Sequence, residues 1–178
     1  MKNDNKGVLY WITGLSGAGK TTIGKTLFDI IRKEKPNVLF LDGDVLRSVL
    51  GNDYGHSIDE RKQLAMNYCR LCKMITDQGV DVVCSTISLF KEVHDYNRNN
   101  ISKYMEIYID CSMDELIKRD QKGIYSKAMD GSAECVMGVN TSYDKPSNCD
   151  IIIDNSFKDN IHEKAQRIYN FSNNKFEG

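Results

Sequence analysis

The stretch Gly14-Leu15-Ser16-Gly17-Ala18-Gly19-Lys20-Thr21 fits the pattern G-x-x-x-x-G-K-[ST], and no other feature limits the possible folds as tightly. Such a loop needs a strand to deliver it and a helix to receive it. Here the apolar run Val8 to Thr13 precedes it, and a helical stretch to about Lys33 follows. The glycines let the backbone curl until its N–H groups point at phosphate oxygens. The helix N-terminus adds roughly half a positive charge beneath them. In that geometry Lys20 reaches the β- and γ-phosphates and the Thr21 hydroxyl ligates Mg²⁺. At ordinary residue frequencies a chance match in this chain has a probability of about 1%. The loop predicts binding of a nucleoside triphosphate with Mg²⁺.

The rest of the chain alternates in the same way. Val38 to Leu41, Val80 to Cys84, Met105 to Ile109 and Ile151 to Ile153 read as strands. Helical patterns run from about Ile58 to Asp77, Leu89 to Asn100, Ser112 to about Asp120, and Asn160 to Phe171; a polar segment with Gly51 and Gly55 leads into the first. The strands are short continuous apolar runs, which suits a parallel sheet covered on both faces. Their repetition with helices implies an α/β fold: a P-loop kinase-type doubly wound sheet of about five mainly parallel strands, with helices on both faces. At about 150 residues per domain, residues 1–178 make a single domain. The stretch 122–148 is polar, contains glycine and has no clear period. A connection of that length in a compact domain reads as a lid.

Composition narrows the partners. Lys plus Arg total 24 against 25 Asp plus Glu, a net charge of −1. A nucleic-acid surface would carry a basic excess, so no nucleic-acid partner is expected. No run reaches 18 apolar residues, so no membrane partner is expected either. Met1 to Lys6 lacks the apolar core of a signal peptide, which points to the cytoplasm. Cys69 and Cys72 form the only C-x-x-C among six cysteines. The helical spacing of Leu64, Tyr68, Leu71 and Ile75 puts Cys72 on a buried stripe, so these thiols read as small core hydrophobes rather than zinc ligands.

The class of P-loop protein follows from what accompanies the loop. A GTPase should carry N-K-x-D after a strand, and the nearest string, Asn174-Lys175-Phe176-Glu177, sits at the C-terminus and ends in Glu. A motor ATPase usually ends a neighbouring strand in Asp, whereas the third strand here ends in Cys84-Ser85-Thr86. Instead, Asp42-Gly43-Asp44 follows the second strand, at the carboxyl edge of the sheet where ligands bind. Those carboxylates suit holding Mg²⁺-bound water or accepting a proton from an attacking hydroxyl. The alternative for Asp44 is to cap a short helix behind it. The layout favours a small-molecule kinase with a lid.

Taken together, these residues resemble the adenylylsulfate kinase family over nearly the whole chain. The matching strings are Gly14 to Thr22, Asp42-Gly43-Asp44 with Arg47 three residues on, Ile87-Ser88, Arg119-Asp120, Lys122-Gly123-Ile124-Tyr125-Ser126-Lys127-Ala128, Tyr143 and Pro146. The resemblance implies transfer of the ATP γ-phosphate to a ribose 3′-hydroxyl of a small-molecule nucleotide, with a possible homodimer. It implies that Thr22 joins the phosphate loop and that Asp44 orients or deprotonates the hydroxyl beside Asp42. Arg47 and Arg61 would hold the acceptor's 5′ phosphate chain, with Ile87 and Ser88 also touching the acceptor. Lys122 and Lys127 would reach over the phosphates from the lid, and Arg119 would lie near the adenine of ATP.

The departures from the family cluster at the acceptor end. The family's Gly-Phe-Ser is here Gly55-His56-Ser57, and its Phe-Thr-Gly is Val136-Met137-Gly138. The family uses those two rings to sandwich adenine, and an aromatic stack is worth on the order of 1–3 kcal/mol per base. A family Asn that helps recognise sulfate is here Leu64, behind Glu60-Arg61. With the ATP machinery intact, the three changes imply an acceptor whose base is not adenine and whose terminal group is not sulfate. The pattern resembles the branch of the family that serves bacterial capsule biosynthesis, whose acceptor is cytidine 5′-diphosphoramidate. Adenylylsulfate as acceptor and a non-catalytic nucleotide-binding module are the alternatives. His94 and His162 read as helix-surface residues.

Overall fold

The computed structural model describes residues 5–50, 54–120, 122–157 and 159–177. Gly51 and residues 1–4 of the polar N-terminus lie outside the described residues. The first strand, β1 (Leu9–Thr13), is buried at every position. It lies mid-sheet, between two parallel neighbours, and its continuous apolar character follows from having both faces covered. The other strands are β2 (Val38–Asp42), β3 (Asp81–Ser85), β4 (Tyr104–Asp110) and β5 (Ile151–Asp154). The sheet order is β2-β3-β1-β4-β5, and every pairing is parallel. In register, Leu9 of β1 stands opposite Val82 on one side and Tyr104 on the other.

Parallel strands need crossovers, and helices supply them. They are α1 (Lys20–Glu34), α2 (Gly43–Leu50), α3 (Ile58–Thr76), α4 (Lys91–Asn100), α5 (Met113–Arg119), α6 (Ile124–Met129) and α7 (Ile161–Phe176). Helix α1 packs against α7, and α3 against α4, so the sheet is sandwiched between helices. Trp11, Ile12, Leu27, Ile31, Met105 and Ile107 are fully buried at the centre. Cys69, Cys72 and Cys84 are fully buried too, and all six cysteines are free thiols. Burial pushes the Cys69 thiol up, and a hydrogen bond between the Cys84 and Cys72 thiols together with burial does the same for Cys84, so both stay protonated and inert.

Two helix ends lie two or more residues from the expectation, and two short helices are added. Helix α4 begins at Lys91 rather than Leu89, because Ser88 has a left-handed φ of 26° and Phe90 is extended. Helix α7 continues to Phe176, where Lys175 bonds the Tyr104 carbonyl and Asp150 and so anchors the last turn. Helix α2 fills the stretch behind Asp44 where the sequence gives only a hint of a short helix; only Leu46 of it is buried, so the apolar period is weak. Helix α6 stands inside 122–148 and is six residues long, too short to show a period.

Candidate active site

The strand order reverses direction at β1, and ligand sites in such sheets open at the carboxyl ends there. A cavity of about 600 Å³ lies at that edge. Its floor is the phosphate loop. Gly14 packs so closely on β4 that a Cβ would come within 2.5 Å of the Ile109 carbonyl oxygen. Gly19, at φ 98°, caps α1 with no side-chain hydrogen bond, so the first-turn N–H groups are left for a ligand's phosphates. Among the loop residues, Ser16, Gly17, Gly19, Lys20, Thr21 and Thr22 line the cavity, while Ala18 is buried behind it. Asn155, just beyond β5, donates from Nδ2 to the Ala18 carbonyl at 2.7 Å and braces the loop from below.

Lys20 is buried, and its ammonium donates to the Leu15 carbonyl at 2.7 Å. Burial lowers its pKa to about 8, against the opposing pull of Asp44. Thr21 Oγ1 donates to Asp42 Oδ2 at 2.7 Å, which sets a hydroxyl and a carboxylate side by side. Two hard oxygen donors at the mouth of a phosphate site suit Mg²⁺. The other Asp42 oxygen accepts the Asp44 N–H at 3.0 Å. Asp42, not Asp44, therefore satisfies the start of α2, which leaves the Asp44 carboxylate free to face the cavity. There it meets Lys122 Nζ at 2.5 Å, across the cleft.

The far end of the cavity is cationic and lacks phenylalanine at two positions where the family carries it. Arg47 Nη2 donates to the Tyr54 and Gly55 carbonyls, both at 2.7 Å. Arg61 lines the same wall with no ion-pair partner among the described residues. Burial, together with the neighbouring Arg47, lowers its pKa. Two guanidinium groups that no carboxylate pairs among the described residues suit a phosphate chain. Around them stand exposed His56, buried Leu64 and buried Val136, with Phe90 and Met137 closing the wall. Ile87 and Ser88 line the cavity from the loop after β3, where Thr86 Oγ1 and Ser88 Oγ are 2.7 Å apart.

A family model for adenylylsulphate kinase matches residues 6–154. The chain belongs to the adenylylsulphate kinase family. It is 43% identical over 164 residues to the cytidine diphosphoramidate kinase of Campylobacter jejuni subsp. jejuni serotype O:2, covering 92% of this chain and 95% of that one. To a probable adenylyl-sulfate kinase of Aeropyrum pernix it is 35% identical, over 84% of both chains. Its fold superposes on the Mycobacterium tuberculosis APS kinase in complex with AMPPNP and APS with a TM-score of 0.86 and 27% identity, covering 93% of this chain and 97% of that one. As a member of this family the chain is an ATP-dependent phosphotransferase acting on a small-molecule nucleotide.

Within this kinase framework, five of the six cationic residues named from sequence meet at one cavity: Lys20, Arg47, Arg61, Arg119 and Lys122. Lys127 does not line it; the side chain is exposed on α6. Tyr125 of the same helix turns inward and its hydroxyl donates to the Ser16 carbonyl at 2.7 Å. Two residues further on, a helix has rotated by about 200°, so Lys127 faces away. Arg119 is held by the Asn155 and Ser156 carbonyls at 2.7 and 3.2 Å and reaches the Gly17 carbonyl at 3.4 Å, which ties α5 to the phosphate loop. His162 is exposed as expected, but His94 is buried, not on a helix surface. Its ring fills the space between α4 and β4 against Glu106. Asn155, Tyr68 and Thr86 also line the cavity and were not singled out. Asn155 and Thr86 each directly follow a strand at the carboxyl edge, and that position was the available signal.

Among the described residues no helix is long and apolar enough to cross a membrane.

Proposed function

We propose that this chain transfers the γ-phosphate of ATP to the ribose 3′-hydroxyl of cytidine 5′-diphosphoramidate, serving capsular polysaccharide phosphoramidate synthesis. The observation that carries the reading is the convergence of His56, Leu64 and Val136 on the same cavity as Arg47 and Arg61. These are the three positions where the chain departs from the adenylylsulfate pattern, and they come from three separate parts of the sequence. A pyrimidine is smaller than adenine and does not need two flanking rings. A phosphoramidate end carries an NH₂ donor where sulfate carries an acceptor oxygen, so it does not need the hydrogen bond that Leu64 cannot give. The 43% identity to a relative named for this acceptor supports the same choice.

In this reading the triphosphate lies along the phosphate loop, with Lys20 at its β- and γ-phosphates. Thr21 and Asp42 would hold Mg²⁺, which when bound neutralises charge developing on the transferred phosphoryl group. Arg47 and Arg61 hold the acceptor's phosphate chain, and Ile87, Ser88, His56 and Val136 border its nucleoside. Asp44 accepts the proton of the attacking hydroxyl once Lys122 shifts from its carboxylate to the phosphates. Lys122 sits in the segment 122–148, which we read as a lid that excludes water. Phosphoryl transfer needs positioning and charge neutralisation more than covalent help, and these groups supply both.

Adenylylsulfate is the second acceptor, favoured by the structural match to a relative solved with APS. Steady-state kinetics with both compounds decides between them. A higher kcat/KM with cytidine 5′-diphosphoramidate supports the proposal, and a higher value with adenylylsulfate overturns it. Absence of ATP turnover with either would favour a non-catalytic nucleotide-binding role.

A further inference from the structure

The buried His94 has no part in the chemistry above, yet it holds the loop that borders the acceptor. Its Nε2 lies 3.0 Å from the Ser88 carbonyl oxygen, and its Nδ1 lies 3.2 Å from Glu106 Oε1. Glu106 is 2% exposed in the middle of β4, and its other oxygen accepts from Arg98 at 2.6 Å. Ser88 is one of three described non-glycine residues with φ above 20°, and it lines the cavity. A serine in that conformation persists only where its surroundings impose it. The ring of His94, anchored on the sheet through Glu106, is placed to do so.

We propose that His94 is a positioning residue for the acceptor: through its hydrogen bond to the Ser88 carbonyl it fixes the loop after β3 in the conformation that presents Ile87 and Ser88 to the nucleotide. The Ser88 carbonyl can only accept, so this contact places the ring hydrogen on Nε2, while Nδ1 faces the Glu106 carboxyl group on the sheet. Arg98, on the same helix, bonds the other Glu106 oxygen and keeps that carboxylate in place. The neighbouring Ile87 carbonyl accepts from Thr13 of β1, and the Leu89 carbonyl accepts the Asp144 N–H, so His94 closes a loop already pinned on both sides. The proposal rests on the reading that this loop contacts the acceptor rather than ATP.

Three variants and one spectrum test it. His94→Leu removes the Nε2 donor and raises the acceptor KM about tenfold, while the ATP KM stays within about twofold. His94→Gln keeps one donor for the Ser88 carbonyl and recovers most of the loss. An acceptor KM unchanged in a folded His94→Leu protein overturns the proposal. So does a loss shared equally between ATP and acceptor, or one that Gln does not relieve. If the Leu variant fails to fold, Gln compared with His94→Ala carries the same comparison. Nitrogen spectra of the ¹⁵N-histidine-labelled native protein are independent of activity, and there the His94 Nε2 is expected to carry a proton. A bare Nε2 overturns the hydrogen-bond assignment. Should the native enzyme turn over neither acceptor, the functional reading fails, while the ring spectrum still judges the His94 contacts.

Discussion

Asp44 and Lys122 meet at 2.5 Å although their side chains are 78% and 59% exposed. An ion pair that open to water is worth little, so an entering phosphate can part it at small cost. In the proposed mechanism this frees the Asp44 carboxylate for the acceptor hydroxyl. Asp44→Asn should lower kcat by on the order of 10²-fold while ATP affinity stays within about threefold, measured by turnover and by calorimetric ATP binding. A kcat near the native value would exclude Asp44 as the proton acceptor. Lys20 makes a second residue-scale prediction. Its folded pKa of about 8 lies below the ordinary 10.5, because burial disfavours the charge. Between those two values the unfolded chain holds a proton that the folded chain has released, so stability without ligand rises with pH from about 8 to 10.5. ATP requires the charged ammonium, so its affinity moves the other way. It should fall above about pH 8, approaching tenfold per pH unit, with proton uptake on binding. Calorimetry in buffers of different ionisation enthalpy measures that uptake directly.

At the scale of elements, the helix starts decide where the chemistry sits. Helix α1 begins with a left-handed glycine and no side-chain cap, which keeps its N–H groups for phosphate. Helix α3 begins in the opposite way. Ser57 Oγ accepts the Glu60 N–H at 3.4 Å, and Glu60 Oε2 accepts the Ser57 N–H at 3.1 Å, a closed capping box. The Ser57 hydroxyl, donating to the same Glu60 oxygen at 2.5 Å, and the Ser57 N–H hold the carboxyl of Glu60 below the usual carboxylate range. The capped first turns carry Arg61 and Leu64 to the cavity wall. Ser57→Ala should therefore lower the Tm by about 2–4 °C in thermal unfolding. It should also raise the acceptor KM more than the ATP KM. The same scale shows what patterning missed. The nineteen-residue α3 was legible because its apolar stripe repeats over five turns. The six-residue α6 was not, because Tyr125 and Ala128 are its only buried side chains and a single repeat is no pattern.

The proposed acceptor pocket exists only in the whole molecule. His56 lies in the turn before α3, Leu64 on α3, and Val136 some seventy residues later in the segment 122–148. The cavity joins them to Arg47 behind β2 and Ser88 behind β3. Replacing His56 and Val136 with Phe in one protein should shift the kcat/KM ratio toward adenylylsulfate by about tenfold or more, as expected for two restored stacking faces. An unchanged ratio from competing-acceptor assays would place the base contacts elsewhere.

The parallel α/β sheet, the phosphate loop and the carboxylates behind β2 were written in local sequence. Glycine spacing, short apolar runs and a strand-to-helix switch act over a few neighbouring residues, and their period or φ demands show in the string itself. The destination of single side chains was not written there. Lys127 and Lys122 look alike in the sequence, but the turn of α6 sends Lys127 to solvent while Lys122 reaches Asp44. His94 looks like a polar residue on a charged helix, but β4 brings Glu106 against it and buries both. A side chain's burial and partners depend on which distant strand packs over it. That is settled by sheet order and helix rotation, which only the tertiary structure decides.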